Sequence, residues 1–111
     1  NEVDMRMVSG ILYKRLKISM ALQVDATLFY ERGKTSAQLA VNDLRKDSIY
    51  NTYTNTGLPP TAIANPGIIA IQAALNPESS PYLFYLTGND GKMYYARTHD
   101  EHVKNKELYL R

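Results

Sequence analysis

From Tyr50 to Gly67 the chain reads YNTYTNTGLPPTAIANPG, eighteen residues with three prolines, two glycines, three asparagines, two tyrosines and no charge. No strand period runs through it, and no helical period begins before Asn65, so the block is a loop. Pro59 and Pro60 hold an extended, stiff backbone. Gly57 and Gly67 permit backbone shapes that other residues resist. Tyr50 and Tyr53 offer flat faces with a hydroxyl tip, and Asn51, Thr52 and Asn65 offer neutral donors and acceptors. A stiff, neutral, aromatic surface suits a carbohydrate better than a charged ligand, because little ordering entropy remains to be lost on binding. A well-packed Ω-loop with its own caps and turns accounts for the same composition.

Regular structure is expected on either side. Val3, Met7, Ile11 and Leu12 stand at helical spacing, with Val8 beside them and Leu16 four residues on. They predict an amphipathic helix over Val3–Leu16, in which Gly10 is either a weak spot or a close-packing point. In LQVDATL, from Leu22 to Leu28, apolar residues alternate with Gln23, Asp25 and Thr27. That stretch is a short strand or an extended loop entering a helical turn. If it is extended, the three polar residues share one face and suit hydrogen bonding to a sugar or peptide; a wet edge strand gives the same pattern. GKTSAQLAVNDLRKD predicts a helix capped by Thr35 or Ser36. Asn65 and Pro66 are the expected cap and first residue of another helix through Leu75, ended by Asn76-Pro77. YLFYLTGNDGKMYYART predicts a hairpin with a tight turn at GNDG. The charged terminal stretch from His99 predicts a helix capped by Thr98. The fold class is α+β, a small antiparallel hairpin or sheet packed with three to four helices.

Composition narrows the chemistry. At 111 residues the chain is one domain by size and long enough to bury a core. A net charge of +2, with the basic residues dispersed, gives no argument for nucleic acid. The densest basic run, Tyr13–Lys17, reads as a solvated helix face before it reads as an anion site. The absence of cysteine excludes disulfides, thiolate nucleophiles and cysteine-held metals, and fits an extracytoplasmic bacterial protein. No stretch reaches the roughly 18 apolar residues of a membrane span. The first residue is Asn1, so the chain is expected to be a fragment, with any export or anchor segment upstream.

His99 and His102 stand three apart, as a zinc pair can, but no other histidine or cysteine supplies a third ligand, so no metal is expected. No serine sits in a Gly-x-Ser-x-Gly elbow and no phosphate-cradling glycine loop is present.

The wording of the loop is more specific than its composition. YNTYTNTGLPP followed by IANPG resembles the YceG-like endolytic murein transglycosylases (the MltG family). So do Lys14-Arg15-Leu16 with the Met20–Thr27 stretch, IQAALNP, the hairpin and the terminal Glu101-His102, in the family's order and spacing over nearly all of the chain. The resemblance implies that residues 1–111 are the C-terminal part of a lysozyme-like transglycosylase catalytic domain. The parent would be a single-pass inner-membrane protein with its catalytic part facing the wall. It would cut nascent glycan strands internally between MurNAc and GlcNAc, leave 1,6-anhydro-MurNAc ends and need no cofactor. One glutamic acid would serve first as acid and then as base, which requires a raised pKa.

In the family that glutamate precedes the first helix, so it is expected upstream of Asn1. Glu2 lacks the flanking motif and is not assigned the role. No catalytic residue is therefore expected within the chain, which alone should be inactive. The substrate-binding set is Gln23, Asp25, Thr27, Tyr50, Asn51, Tyr53 and Asn65. Expected partners are peptidoglycan glycan strands and, through the family, wall-synthesis machinery, with membrane contact only through an upstream anchor. The chain departs from the family at Lys14, Ala26, Ile49, Thr61 and Ala62. A non-catalytic wall-binding or interaction module is the alternative.

Overall fold

The computed structural model describes residues 1–24, 26, 48–64 and 66–110. These hold three helices and a two-stranded antiparallel sheet, an α+β fold. The elements are α1 (Glu2–Lys17), α2 (Ile68–Leu75), β1 (Phe84–Thr87), β2 (Met93–Ala96) and α3 (His99–Tyr109). The chain divides into two compact units: Asn1–Lys14 with Pro66–Arg111, and Arg15–Asn65. The helix expected over GKTSAQLAVNDLRKD lies outside the described residues.

In the first unit α1 starts at an asparagine cap: Asn1 Oδ1 accepts from Asp4 N at 2.8 Å, while Glu2 and Asp4 put negative charge in the first turn. Ile11 is fully buried, whereas Val3, on the same apolar stripe, is exposed. The end of α2 and the segment after it are laced along this helix. Glu78 N donates to Arg6 O, Arg6 Nε to Asn76 O, Tyr13 OH to Ala74 O, and Lys14 Nζ to the carbonyls of Ser80 and Tyr82. Gly10 is the close-packing point. A Cβ there would lie 2.0 Å from the backbone oxygen of Glu78.

The helix expected from Asn65 and Pro66 begins later. Gly67 is its N-cap, extended at ψ 171° with no side-chain cap, and Ile71 N closes the first turn onto Gly67 O. Glycine serves an N-cap nearly as well as a capping side chain, because the position needs mainly an extended backbone. Asn65 itself lies outside the described residues. Asn76 ends α2 as expected, its Nδ2 donating to Gln72 O.

The hairpin pairs Phe84 with Ala96, Tyr85 with Tyr95 and Leu86 with Tyr94. Phe84, Leu86 and Ala96 are buried. Gly91, at φ +80°, closes the turn, where Gly88 N meets Lys92 O at 2.8 Å. α3 is capped by Thr98, whose hydroxyl accepts from Glu101 N. Its histidines cover Phe84, His102 stacked at 5.1 Å and His99 edge-on at 5.9 Å. They therefore pack the hairpin, and among the described residues no three His, Cys, Asp or Glu side chains gather as a metal site. Tyr94 stacks on Tyr109 at 3.6 Å and Tyr95 on Tyr82 at 5.6 Å.

Two phenols are tied to carboxylates. Tyr94 OH donates to Asp90 at 2.6 Å, which raises its pKa to about 12 and lowers that of Asp90. Burial first, and a 2.5 Å hydrogen bond to Asp4 second, raise that of Tyr95. The folded state thus favours both neutral phenols. Their contribution is whole below the ordinary tyrosine pKa of about 10 and is lost as pH rises beyond it. Thermal melts stepped upward from about pH 9 should fall in midpoint above pH 10, and the fall should be shallower in the Tyr94→Phe, Tyr95→Phe double variant.

Gly10→Ala tests the close approach. On helix propensity alone alanine should stabilise by about 1 kcal/mol. The Glu78 carbonyl should reverse the sign, to a loss of about 1–3 kcal/mol in urea unfolding.

Candidate functional site

The second unit carries every residue of the expected binding set. Four of its described residues are buried: Leu22, Arg15, Asn51 and Thr52, three of them polar. Buried polar groups are costly unless hydrogen-bonded, so their partners define the local fold.

Arg15 stands at the end of α1. Its carbonyl accepts from Met20 N at 2.8 Å while Leu16 O accepts from Ser19 N at 3.3 Å, with Ser19 at φ 57°. This is the paired-bond helix stop usually closed by glycine. The Arg15 guanidinium turns the other way, donating from Nη1 to Leu22 O at 2.6 Å and to Ala21 O at 3.3 Å. The solvated-face reading of Tyr13–Lys17 therefore fails at Arg15, which is 4% exposed. A guanidinium carries enough donors to be buried against carbonyls, and charge spacing along a helix does not reveal that.

Thr52 joins the loop to the segment after α1. Its carbonyl accepts from Gln23 N at 3.1 Å, and its hydroxyl both accepts from Val24 N at 2.8 Å and donates to Val24 O at 3.2 Å. Ala21 and Thr56 form an isolated antiparallel bridge. Gln23 lies between these ties at φ 55°, in the left-handed region. The alternation read over Leu22–Leu28 thus does not run as a strand through Gln23, and the stretch beyond it lies mostly outside the described residues. Gln23 is exposed, and Asp25 and Thr27 lie outside the described residues.

Asn51 is fully buried. Its Oδ1 accepts from Tyr53 N at 2.8 Å, a side-chain turn, and its carbonyl accepts from Asn55 N at 3.0 Å. Asn55 Nδ2 reaches back to Ser48 O at 2.6 Å. Tyr50 and Tyr53, on either side of this turn, are half-buried. The Tyr50 hydroxyl meets Thr61 Oγ1 at 3.1 Å, across the double proline. Thr61, a departure from the family wording, thus supplies a strut. Gly57 takes φ +84°. The geometry brings Gln23, Asn51, Tyr50 and Tyr53 into one unit through Thr52, and it distinguishes them: Asn51 faces inward, and Gln23 faces solvent.

A second feature lies in the first unit, an open cleft of about 320 Å³ lined by Glu2, Arg6, Gln72 and Asn76. Arg6 is ion-paired there with Glu78 at 3.0 Å. Glu2 is exposed in the first turn of α1, far from the apolar setting that a general acid needs.

The family model described as the YceG-like family matches residues 1–108. The chain belongs to the YceG-like family. It is 41% identical over 109 residues to an endolytic murein transglycosylase of Bacillus subtilis (strain 168), covering 98% of this chain and 30% of that protein. It is 32% identical to one of Streptococcus pneumoniae (strain D39), covering 92% of this chain and 20% of that protein. The crystal structure of a yceG-like protein from Listeria monocytogenes matches with a TM-score of 0.83 and 43% identity, over 89% of this chain and 33% of that one. The chain thus spans a third or less of the length of these relatives. No helix among the described residues is long and apolar enough to cross a membrane.

Arg15 and Thr52 are the residues that sequence reasoning did not single out as organisers of the site. Thr52 sits inside the YNTYTN wording and Arg15 inside Lys14-Arg15-Leu16, so the only signal was membership of those motifs. Thr52→Val, nearly isosteric, should destabilise by about 1–3 kcal/mol in urea unfolding, because it removes the hydroxyl that bonds both the N–H and the carbonyl of Val24. Asn51→Ala should cost a similar amount, about 1–3 kcal/mol, through the lost turn.

Proposed function

We propose that this chain is the groove-bearing C-terminal part of a lytic murein transglycosylase catalytic domain. The observation that carries the reading is the neutral loop of YNTYTN, whose buried side chains close on themselves and on Leu22–Val24, leaving uncharged polar and aromatic groups outward. A glycan presents hydroxyl and acetamido groups with apolar ring faces. Neutral amides and tyrosine rings complement both without the desolvation cost of a charge.

In this reading Gln23, Tyr50 and Tyr53 touch the sugar chain, and Asp25, Thr27 and Asn65 belong to the same set by their place in the sequence. Asn51 acts from beneath by fixing the turn that carries Tyr53. The catalytic acid is a glutamate preceding Asn1. It protonates the glycosidic oxygen as the bond to MurNAc C1 breaks. It then takes the proton of the C6 hydroxyl as O6 closes on C1, giving the 1,6-anhydro end and returning the acid to its starting state. No water is consumed. The parent is membrane-anchored by a segment upstream, acts on nascent strands outside the cytoplasm and works beside wall-synthesis machinery. That the Bacillus subtilis and Streptococcus pneumoniae relatives are endolytic murein transglycosylases supports the reaction class.

The test is mass analysis of products from purified glycan strands, using this chain and a protein extended upstream through the glutamate. Anhydro-MurNAc ends from the extended protein alone are the expected result. Reducing MurNAc ends would indicate a hydrolase. No cleavage by either folded protein, with strand binding retained, would make this a wall-binding module.

A further inference from the structure

Only two described residues other than glycine have positive φ, Ser19 and Gln23, and both hang on Arg15. Its carbonyl holds the turn containing Ser19, and its guanidinium holds the carbonyls of Ala21 and Leu22, immediately before Gln23. Glutamine in the left-handed region is unfavourable, and such a conformation persists only where the surroundings over-determine it. Here they do. The peptide before Gln23 is held at both its groups, the Leu22 carbonyl by Arg15 and the Gln23 N–H by the Thr52 carbonyl, and Val24 after it is held by the Thr52 hydroxyl.

The arrangement is costly, because a long side chain sits where glycine or asparagine would be relaxed. A turn alone does not need that side chain. What glutamine adds over glycine is an exposed carboxamide, carried on a backbone that is fixed before any ligand arrives.

We infer that Arg15 is a positioning residue for glycan binding: with Thr52 it locks Gln23 in its left-handed conformation, so that the carboxamide stands ready to hydrogen-bond a neutral hydroxyl or acetamido group of the sugar chain. The inference rests on the transglycosylase reading of this unit. In this reading Arg15 touches no substrate and its effect on binding is exerted through Gln23. Both bonds leave one guanidinium nitrogen, Nη1, which the longer stem and rigid plane of arginine place between the two carbonyls; lysine, one atom shorter and ending in a freely rotating ammonium, does not reproduce that position.

The experiment is a double-mutant cycle in the full-length enzyme, with Gln23→Gly, Arg15→Lys and the pair, reading Tm and kcat/KM for glycan-strand cleavage. Gln23→Gly relieves the strain and removes the carboxamide. It should leave Tm equal or higher and lower kcat/KM about three- to ten-fold, chiefly through KM, as expected for one lost neutral hydrogen bond. Arg15→Lys should lower kcat/KM in the parent background and add little once Gln23 is glycine. A folded Gln23→Gly enzyme with unchanged kcat/KM overturns the inference, and this holds even if Arg15→Lys fails to fold. So do losses that multiply independently in the double variant. A folded wild-type enzyme that cleaves no glycan overturns the transglycosylase reading itself, and this inference with it.

Discussion

A guanidinium taken out of water has to find acceptors, and Arg15 finds two in the backbone six and seven residues further along the chain. That requirement organises the second unit. The carbonyls of Ala21 and Leu22 must face inward to meet it, which bends the chain after α1 away from the helical path. The bend presents the N–H of Gln23 and both polar groups of Val24 to Thr52, and Thr52 brings the neutral loop with it. Among the described residues of this unit the buried groups are mostly polar and hydrogen-bonded, and such networks specify geometry sharply because a half-satisfied one is costly.

The first unit follows a different logic. α1 is tied to the end of α2 and the segment after it through backbone carbonyls, and Gly10 lets Glu78 approach. The hairpin and α3 are held by aromatic stacking, with Phe84 beneath two histidines and Tyr94 against Tyr109. These contacts make a scaffold, and its histidines are explained by packing without chemistry. α2 contributes little to a core among the described residues. Ala73 alone of its residues is buried, while Ile68, Ile69, Ile71 and Leu75 are exposed.

Much of this was legible in the chain itself. The period over Val3–Leu16, the turn glycine at position 91, the Thr98 cap and the stop at Asn76 each follow from a local rule, and the structure obeys them. Asn65 with Pro66 as the start of α2 also follows from a local rule, and there the extended backbone of Gly67 prevailed. The candidate site was partly legible: wording around Tyr50–Tyr53 and Gln23 pointed to one region, but nothing local distinguished Asn51, turned inward, from Gln23, turned out. Burial of a polar side chain depends on partners distant in sequence, and periodicity carries no information about them.

By itself the sequence determined the α+β class, most element positions and the neutral, stiff character of the loop, because these depend on backbone propensity and on side chains a few residues apart. Only the tertiary structure decided that Arg15 is buried, that Thr52 joins two segments 28 residues apart, and that Gln23 is held left-handed on the surface. Those outcomes come from hydrogen-bond satisfaction between segments that meet only after folding, and such a constraint has no period to read.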